Sequence, residues 1–356
     1  MSSGRTQWSD RSAATLAILA AVLLVFGIWC LASGLKEFTF APDRGSWWYL
    51  WQRSDATVWT RLTAWLPYLL HQCCFWGLIY HAQHNVRGYS SRIHRVNVFA
   101  LLLNGGFAAL HVLQTQLYYD GLAQDVPEVT SFGSVVIMLI LVMIMENRRR
   151  GMIWGKPFPI QKQVVDFLRR YHGYYFSWAI IYTFWYHPME TTPGHLAGIF
   201  YTLLLMIQGS LFFTRLHVHR WWRVAMETGV VLHAVAVAYY QPVALSSMFL
   251  FGFTLVFVLN QMHGLSLSVR TRYFILAGYL VTLFAVYGLF RGFGNIHEVV
   301  RIALLDYLGV VLLAGLVWSG LWVRRLFRGA QQVMEVLSQP PEERASGISI
   351  HPGPAE

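Results

Sequence analysis

Ten apolar stretches, each close to the ~20 residues that a helix needs to cross about 30 Å of hydrocarbon, recur along this chain of 356 residues. They cover about 13–33, 63–83, 96–117, 131–146, 172–188, 195–214, 223–241, 245–262, 272–290 and 299–320. Lipid offers the backbone no hydrogen-bond partner, so a chain built this way closes its bonds within helices. The short alternating segments of an outer-membrane barrel are absent from the sequence. Charged residues make up 12% of the chain, about half the usual share of a soluble domain, which is near 25%. The expected fold is an all-α integral membrane protein, a bundle of about ten transmembrane helices.

Lysine and arginine positions test that segmentation. One set of alternate loops and ends holds Arg5, Arg11, Arg87, Arg92, Arg95, Arg148, Arg149, Arg150, Lys156, Lys162, Arg169 and Arg170. The same set continues with Arg215, Arg220, Arg223, Arg270, Arg272, Arg324, Arg325, Arg328 and Arg344. The other set holds Lys36, Arg44, Arg53, Arg61 and Arg291, a division of 21 against 5, with Arg301 inside the last span. A miscounted span would scramble this asymmetry. The positive-inside rule then predicts both termini in the cytoplasm of a cell inner membrane.

The expected organisation is a cytoplasmic N-terminus over 1–12, one membrane domain over 13–325 and a cytoplasmic tail over 326–356. The tail is rich in Pro, Glu, Ser and Gly from about Ser338, and disorder is expected there. The first run, Ala13–Ser33, reads as a span and not as a cleaved signal. Trp47, Trp48, Tyr49 and Trp51 read as an interfacial aromatic belt. Over 158–170, Ile160, Val164, Val165 and Leu168 share one side, so a short helix lying on the inner leaflet is expected. Cys30, Cys73 and Cys74 sit in apolar spans without metal-ligand spacing and read as small buried side chains. The net charge of +10 is spread through short loops, which argues for topology and against nucleic-acid binding.

Fourteen histidines are the candidate chemistry. His81, His84, His172, His217, His219 and His263 fall at predicted cytoplasmic helix ends, with Glu146 and Glu227 at the same level. Neutral imidazoles with carboxylates are ligands for iron, zinc or copper. These eight residues are the expected metal set, and iron, one ion or two, is the expected cofactor. The ordinary alternative is that interfacial histidines simply face water, and that Glu227 pairs with Arg223 one turn before it. The boxes of membrane fatty-acid desaturases, HxxxH or HxxxxH with HxxHH, are absent; HAQH (81–84) and HVH (217–219) share only the residue type.

His71, His111, His233 and Asp306 form a second set, each roughly 9–12 Å below the predicted outer edge at 1.5 Å per residue. An ionisable group in a span is costly, so these four are expected to face one another or a wet cavity. As candidate catalytic residues they fit a proton relay, a buried metal or a ligand pocket, and equally a satisfied structural hydrogen-bond network. His187, Glu190, His195 and His297 lie at the outer surface, in a polar turn or an outer site. His172 and His187 share a helix as haem ligands do, with no matching second helix, which leaves room for a single haem only.

The leading expectation is an iron-dependent oxidoreductase acting on a lipid or other hydrophobic substrate, with an electron-donor protein as partner. Two alternatives stand beside it: a proton-coupled transporter using His71, His111, His233 and Asp306, and an acyl- or glycosyl-type transferase with an intramembrane histidine base. HExxH, GxSxG and P-loop motifs are absent.

Overall fold

A computed structural model describes residues 8–42, 51–239 and 244–338. Among the described residues, 80% are helical and none form strands. The helices are α1 (Asp10–Cys30), α2 (Val58–Asn85), α3 (Arg95–Tyr118), α4 (Glu128–Arg150), α5 (Lys162–Tyr186), α6 (Pro193–Ser210), α7 (Arg220–Tyr239), α8 (Ala244–Leu259), α9 (Val269–Val286) and α10 (Val299–Ser338). Each covers one apolar stretch of the sequence. Their starts follow local chemistry: the side chains of Ser9, Thr57, Thr192 and Ser268 accept from amides in the first turns of α1, α2, α6 and α9. These hydroxyls satisfy donors that a helix start leaves open.

Among the described residues, five segments are long and apolar enough to cross a membrane: Asp10–Cys30, Arg95–Tyr118, Glu128–Arg150, Val269–Arg291 and Phe293–Arg328. Their outward surface is greasy. Phe274, Val281, Leu289 and Phe290 on the α9 side, and Leu304, Leu312 and Leu316 on α10, are exposed. Such a continuous apolar exterior fits hydrocarbon, not water.

α5 is the spine, packed against α2, α4, α6 and α10. Ala179, Ile181, Trp185 and Tyr186 are buried along it, in a core shared with α1, α2, α3 and α6. A second core joins α4, α5, α8 and α10 through Ile144, Val164, Val165, Val256 and Val310. The expected in-plane helix over 158–170 is therefore corrected. Lys162 onward is the first part of α5, and Val164, Val165 and Leu168 face protein instead of the leaflet.

One further expectation changes, that of the cysteines. Cys30, Cys73 and Cys74 are free and exposed on the apolar exterior, not buried. α10 continues past 320 to Ser338, so the expected tail is helical at first; residues 339–356 lie outside the described residues. Trp47, Trp48 and Tyr49 lie outside them too, whereas Trp51 is described and packs edge-on against Phe40 and His195.

α10 meets α4 where Gly309 faces Ile140: a Cβ added at Gly309 would collide with the Ile140 side chain. Small residues permit such close approach between membrane helices. Gly315, two turns later, has nothing within 4 Å of an added Cβ. Gly309→Leu should lower stability by about 1–3 kcal/mol through overpacking, read as a fall in the thermal midpoint in detergent, while Gly315→Leu leaves that midpoint level or higher.

Candidate functional site

The eight residues expected to hold metal do not meet. His81 and His84 are exposed on the last turns of α2. The His81 Nδ1 faces Asn85 Nδ2 at 3.2 Å, and His84 Nδ1 donates to the Tyr80 carbonyl at 2.7 Å. His219 is exposed just before α7. His263 is buried in the turn after α8, its Nε2 donating to Val258 O at 3.1 Å, and burial holds its imidazole below the usual range. Among the described residues, no three His, Cys, Asp or Glu are grouped so as to hold a metal ion.

One pair does come together. The rings of His172 and His217 lie 6.4 Å apart, centroid to centroid. Each donates Nδ1–H to a backbone carbonyl, His172 to Arg169 at 2.8 Å and His217 to Gln208 at 2.9 Å. That bond assigns the neutral tautomer whose Nε2 keeps its lone pair. Burial pushes His217 down to about 4, so it stays neutral.

Glu146 and Glu227 belong to an ion-pair network instead of a ligand set. Glu146 accepts from Arg149, three residues on, and from Arg223 Nη1 at 2.6 Å. Glu227 lies 2.8 Å from Arg150 Nη1, so its partner is Arg150 and not the expected Arg223. Helix continuation explains this. α4 runs one turn beyond its predicted end at 146, which puts Arg150 on the buried face of Met143, Glu146 and Asn147. Gly151 then ends the helix with φ +75°, where the Gly155 backbone comes too close for any Cβ. Asn260 holds the turn by donating to Gly151 O at 2.6 Å.

The second set also divides. His71 is fully buried and bonded on both nitrogens. Asn104 Nδ2 donates to Met206 O and Ser210 Oγ, which turns its Oδ1 toward His71 Nε2 at 2.8 Å. Nε2 is therefore the donor, and Nδ1 accepts from Trp185 Nε1 at 3.2 Å. His111 stacks on Trp185, with Nε2 2.9 Å from His187 O and Nδ1 3.0 Å from Gln114 Oε1. His71 and Asn104 knit α2, α3, α5 and α6 together as links of a satisfied chain. His233 lies against Gly198 of α6. The outer histidines gather beside it: His187 and His195 have ring centroids 5.7 Å apart, and His195 Nδ1 meets Thr192 Oγ1 at 2.7 Å. Glu190 takes the Tyr119 hydroxyl at 2.7 Å, and His297 pairs with Arg301 at 2.8 Å.

Asp306 stands apart from all of these histidines. It is 2% exposed, and among the described residues it has no hydrogen bond or ion pair. It lines a cavity of about 10 Å³ with Leu139 and Met143 of α4, Glu227 and Val230 of α7, Phe253 and Val256 of α8, and Gln261 after α8. That volume is about the room of one water molecule. Gln261 Oε1 is likewise buried without a partner. Two carboxyls and an open amide oxygen thus share one water-sized space among apolar walls. Reasoning from the sequence found Asp306 and Glu227 separately and assigned them to different sites. Their pairing has no local sequence signal, because it depends on α7 and α10 both packing against α8.

No family model matches the chain, and comparison with curated proteins and with solved structures returned no match either.

The ion-pair network yields a stability test. Arg150→Gln strands Glu227 without its cation in a buried place, and such breaks cost about 3–5 kcal/mol. The double variant Arg150→Gln/Glu227→Gln should recover most of that loss, compared as detergent unfolding curves. Equal losses in single and double variants would remove the coupling.

Proposed function

We propose that the chain is a membrane transporter coupled to protons, with ten spans and both termini in the cytoplasm, and that Asp306 carries the proton. The topology rests on the charge division of 21 to 5 across alternate loops and on one helix over every apolar stretch. A single observation supports the proton assignment: Asp306 is a buried, unpaired carboxyl facing a cavity that it shares with Glu227. An isolated carboxylate in a low-dielectric site is strongly disfavoured, so such a group holds a proton until water or a second polar group takes it. A water in that space would link Asp306, Glu227 and Gln261, giving the proton a route between the carboxyls. The cavity's size favours a proton over an organic solute. Histidines bonded on both nitrogens, such as His71, offer no vacant lone pair for that task.

The decisive measurement is proton flux into liposomes carrying the purified protein and an internal pH dye. Asp306→Asn should cut the flux at least tenfold while the protein keeps its helical spectrum, and Asp306→Glu should keep part of it. Flux in Asp306→Asn equal to the wild type would end this reading.

A second reading, the metal-dependent oxidoreductase, has the His172–His217 pair in its favour. Two neutral imidazoles with Nδ1 fixed by carbonyls are oriented as metal ligands are, and an iron there would take its remaining ligands from water or substrate. Elemental analysis should then find about one iron per chain in the wild type, lost in His172→Ala/His217→Ala; metal-free wild-type protein would close this reading.

A further inference from the structure

The space beside Asp306 is lined by oxygens that accept and by no positive group. Its polar lining is Asp306 of α10, Glu227 of α7 and Gln261 in the turn after α8. Asp306 is 2% exposed and Gln261 9%, so both side chains are buried. Among the described residues Asp306 has no hydrogen bond or ion pair, and Gln261 Oε1 is a buried oxygen with no partner. The remaining walls, from α4, α7 and α8, are aliphatic, thioether and phenyl side chains, which donate nothing.

One water molecule cannot satisfy that set. Water donates two hydrogen bonds, whereas Asp306, Glu227 and Gln261 Oε1 are three acceptors whenever Asp306 is ionised. Water also leaves the Asp306 charge in place, and a buried carboxylate without a counter-charge is strongly disfavoured. Two carboxyls and an amide carbonyl are hard oxygen donors, the kind that small, hard metal cations take as ligands.

Charge sets the valence. Glu227 lies 2.8 Å from Arg150 Nη1, so that carboxylate is already matched. Glu146 pairs with Arg223 and Arg149, and the Arg149 side chain is 31% exposed, where water screens its surplus charge. At the cavity itself the one unmatched charge is that of Asp306, which a single monovalent cation neutralises. A divalent ion leaves a positive charge over, among apolar walls.

We propose that Asp306, Glu227 and Gln261 form the binding site of one alkali-metal cation of the sodium class, held at the oxygens that otherwise hold the proton. The inference rests on the proton reading above and names the ion that exchanges with it. A space near 10 Å³ takes one particle of about the size of water, so proton and cation occupy it in turn. The exchange balances: the cation binds the Asp306 carboxylate as the O–H bond breaks, and one positive charge leaves for each that enters.

Sodium chloride is the probe, with N-methyl-D-glucamine chloride as the large control cation at equal ionic strength. A ligand that binds only the folded state raises the unfolding midpoint. In detergent at mildly alkaline pH, wild-type protein should melt several degrees higher in sodium, with no comparable rise from calcium chloride. Asp306→Asn removes a carboxyl that pairs with nothing, so it should fold normally and lose the sodium shift. Gln261→Leu keeps both carboxyls and should need several-fold more sodium to reach half of the shift. In liposomes, a sodium gradient imposed without a pH gradient should drive protons the opposite way through the wild type and not through Asp306→Asn. Equal wild-type midpoints in sodium and the control salt, a sodium shift retained by Asp306→Asn, or a larger shift with calcium overturns the cation site. A sodium gradient that moves no protons overturns the exchange. Melting and flux keep the two readings apart. If Asp306→Asn stops proton flux but sodium leaves the wild-type midpoint unchanged, only the cation falls. If sodium raises that midpoint while Asp306→Asn keeps full proton flux, the proton reading falls and the binding site remains.

Discussion

Inside hydrocarbon a polar group has only the protein to bond to, and that constraint organises this structure. The backbone meets it by forming helices. Side chains meet it by pairing between helices, and the arrangement of these pairs decides which helices can touch. The chain from Trp185 through His71 and Asn104 to Ser210 shows the rule obeyed at every atom. Four helices contribute one polar group each, and none is left over. Such a network fixes rotation and depth of α2, α3, α5 and α6 more sharply than greasy contacts do, because apolar surfaces slide past one another at little cost.

The α4–α7–α8–α10 half of the bundle obeys the rule only in part. Arginines and glutamates neutralise one another across α4 and α7, yet Asp306, Gln261 Oε1 and the Arg150 nitrogens keep unused bonding capacity. Unmet polar groups weaken a fold, and natural structures keep few of them. Buried unpartnered atoms occur in the other half as well, at Gln72, Asp120 and Gln124; what marks Asp306 and Gln261 is the water-sized cavity that they line with Glu227. That shared space is why the site is placed here and not at histidines whose two ring nitrogens are bonded, as at His71.

Much of the architecture was legible from residue order alone. Apolar length, loop charge and capping residues each depend on neighbours in sequence, so ten helix positions followed directly. The amphipathic stretch at 158–170 misled for a physical reason: a face made of Ile160, Val164, Val165 and Leu168 looks the same whether lipid or a helix covers it. Arg150 misled through a boundary, since one further turn of α4 carries a residue that reads as loop charge into the core.

Sequence by itself determined that this chain is helical, where the helices lie and that ionisable residues sit within them. Only tertiary structure decided which of those residues share a space. Local order sets backbone conformation through interactions within a turn or two. The meeting of Asp306 with Glu227, or of His172 with His217, depends on how separate helices rotate and pack, and each rotation is chosen by the whole set of interhelical contacts at once.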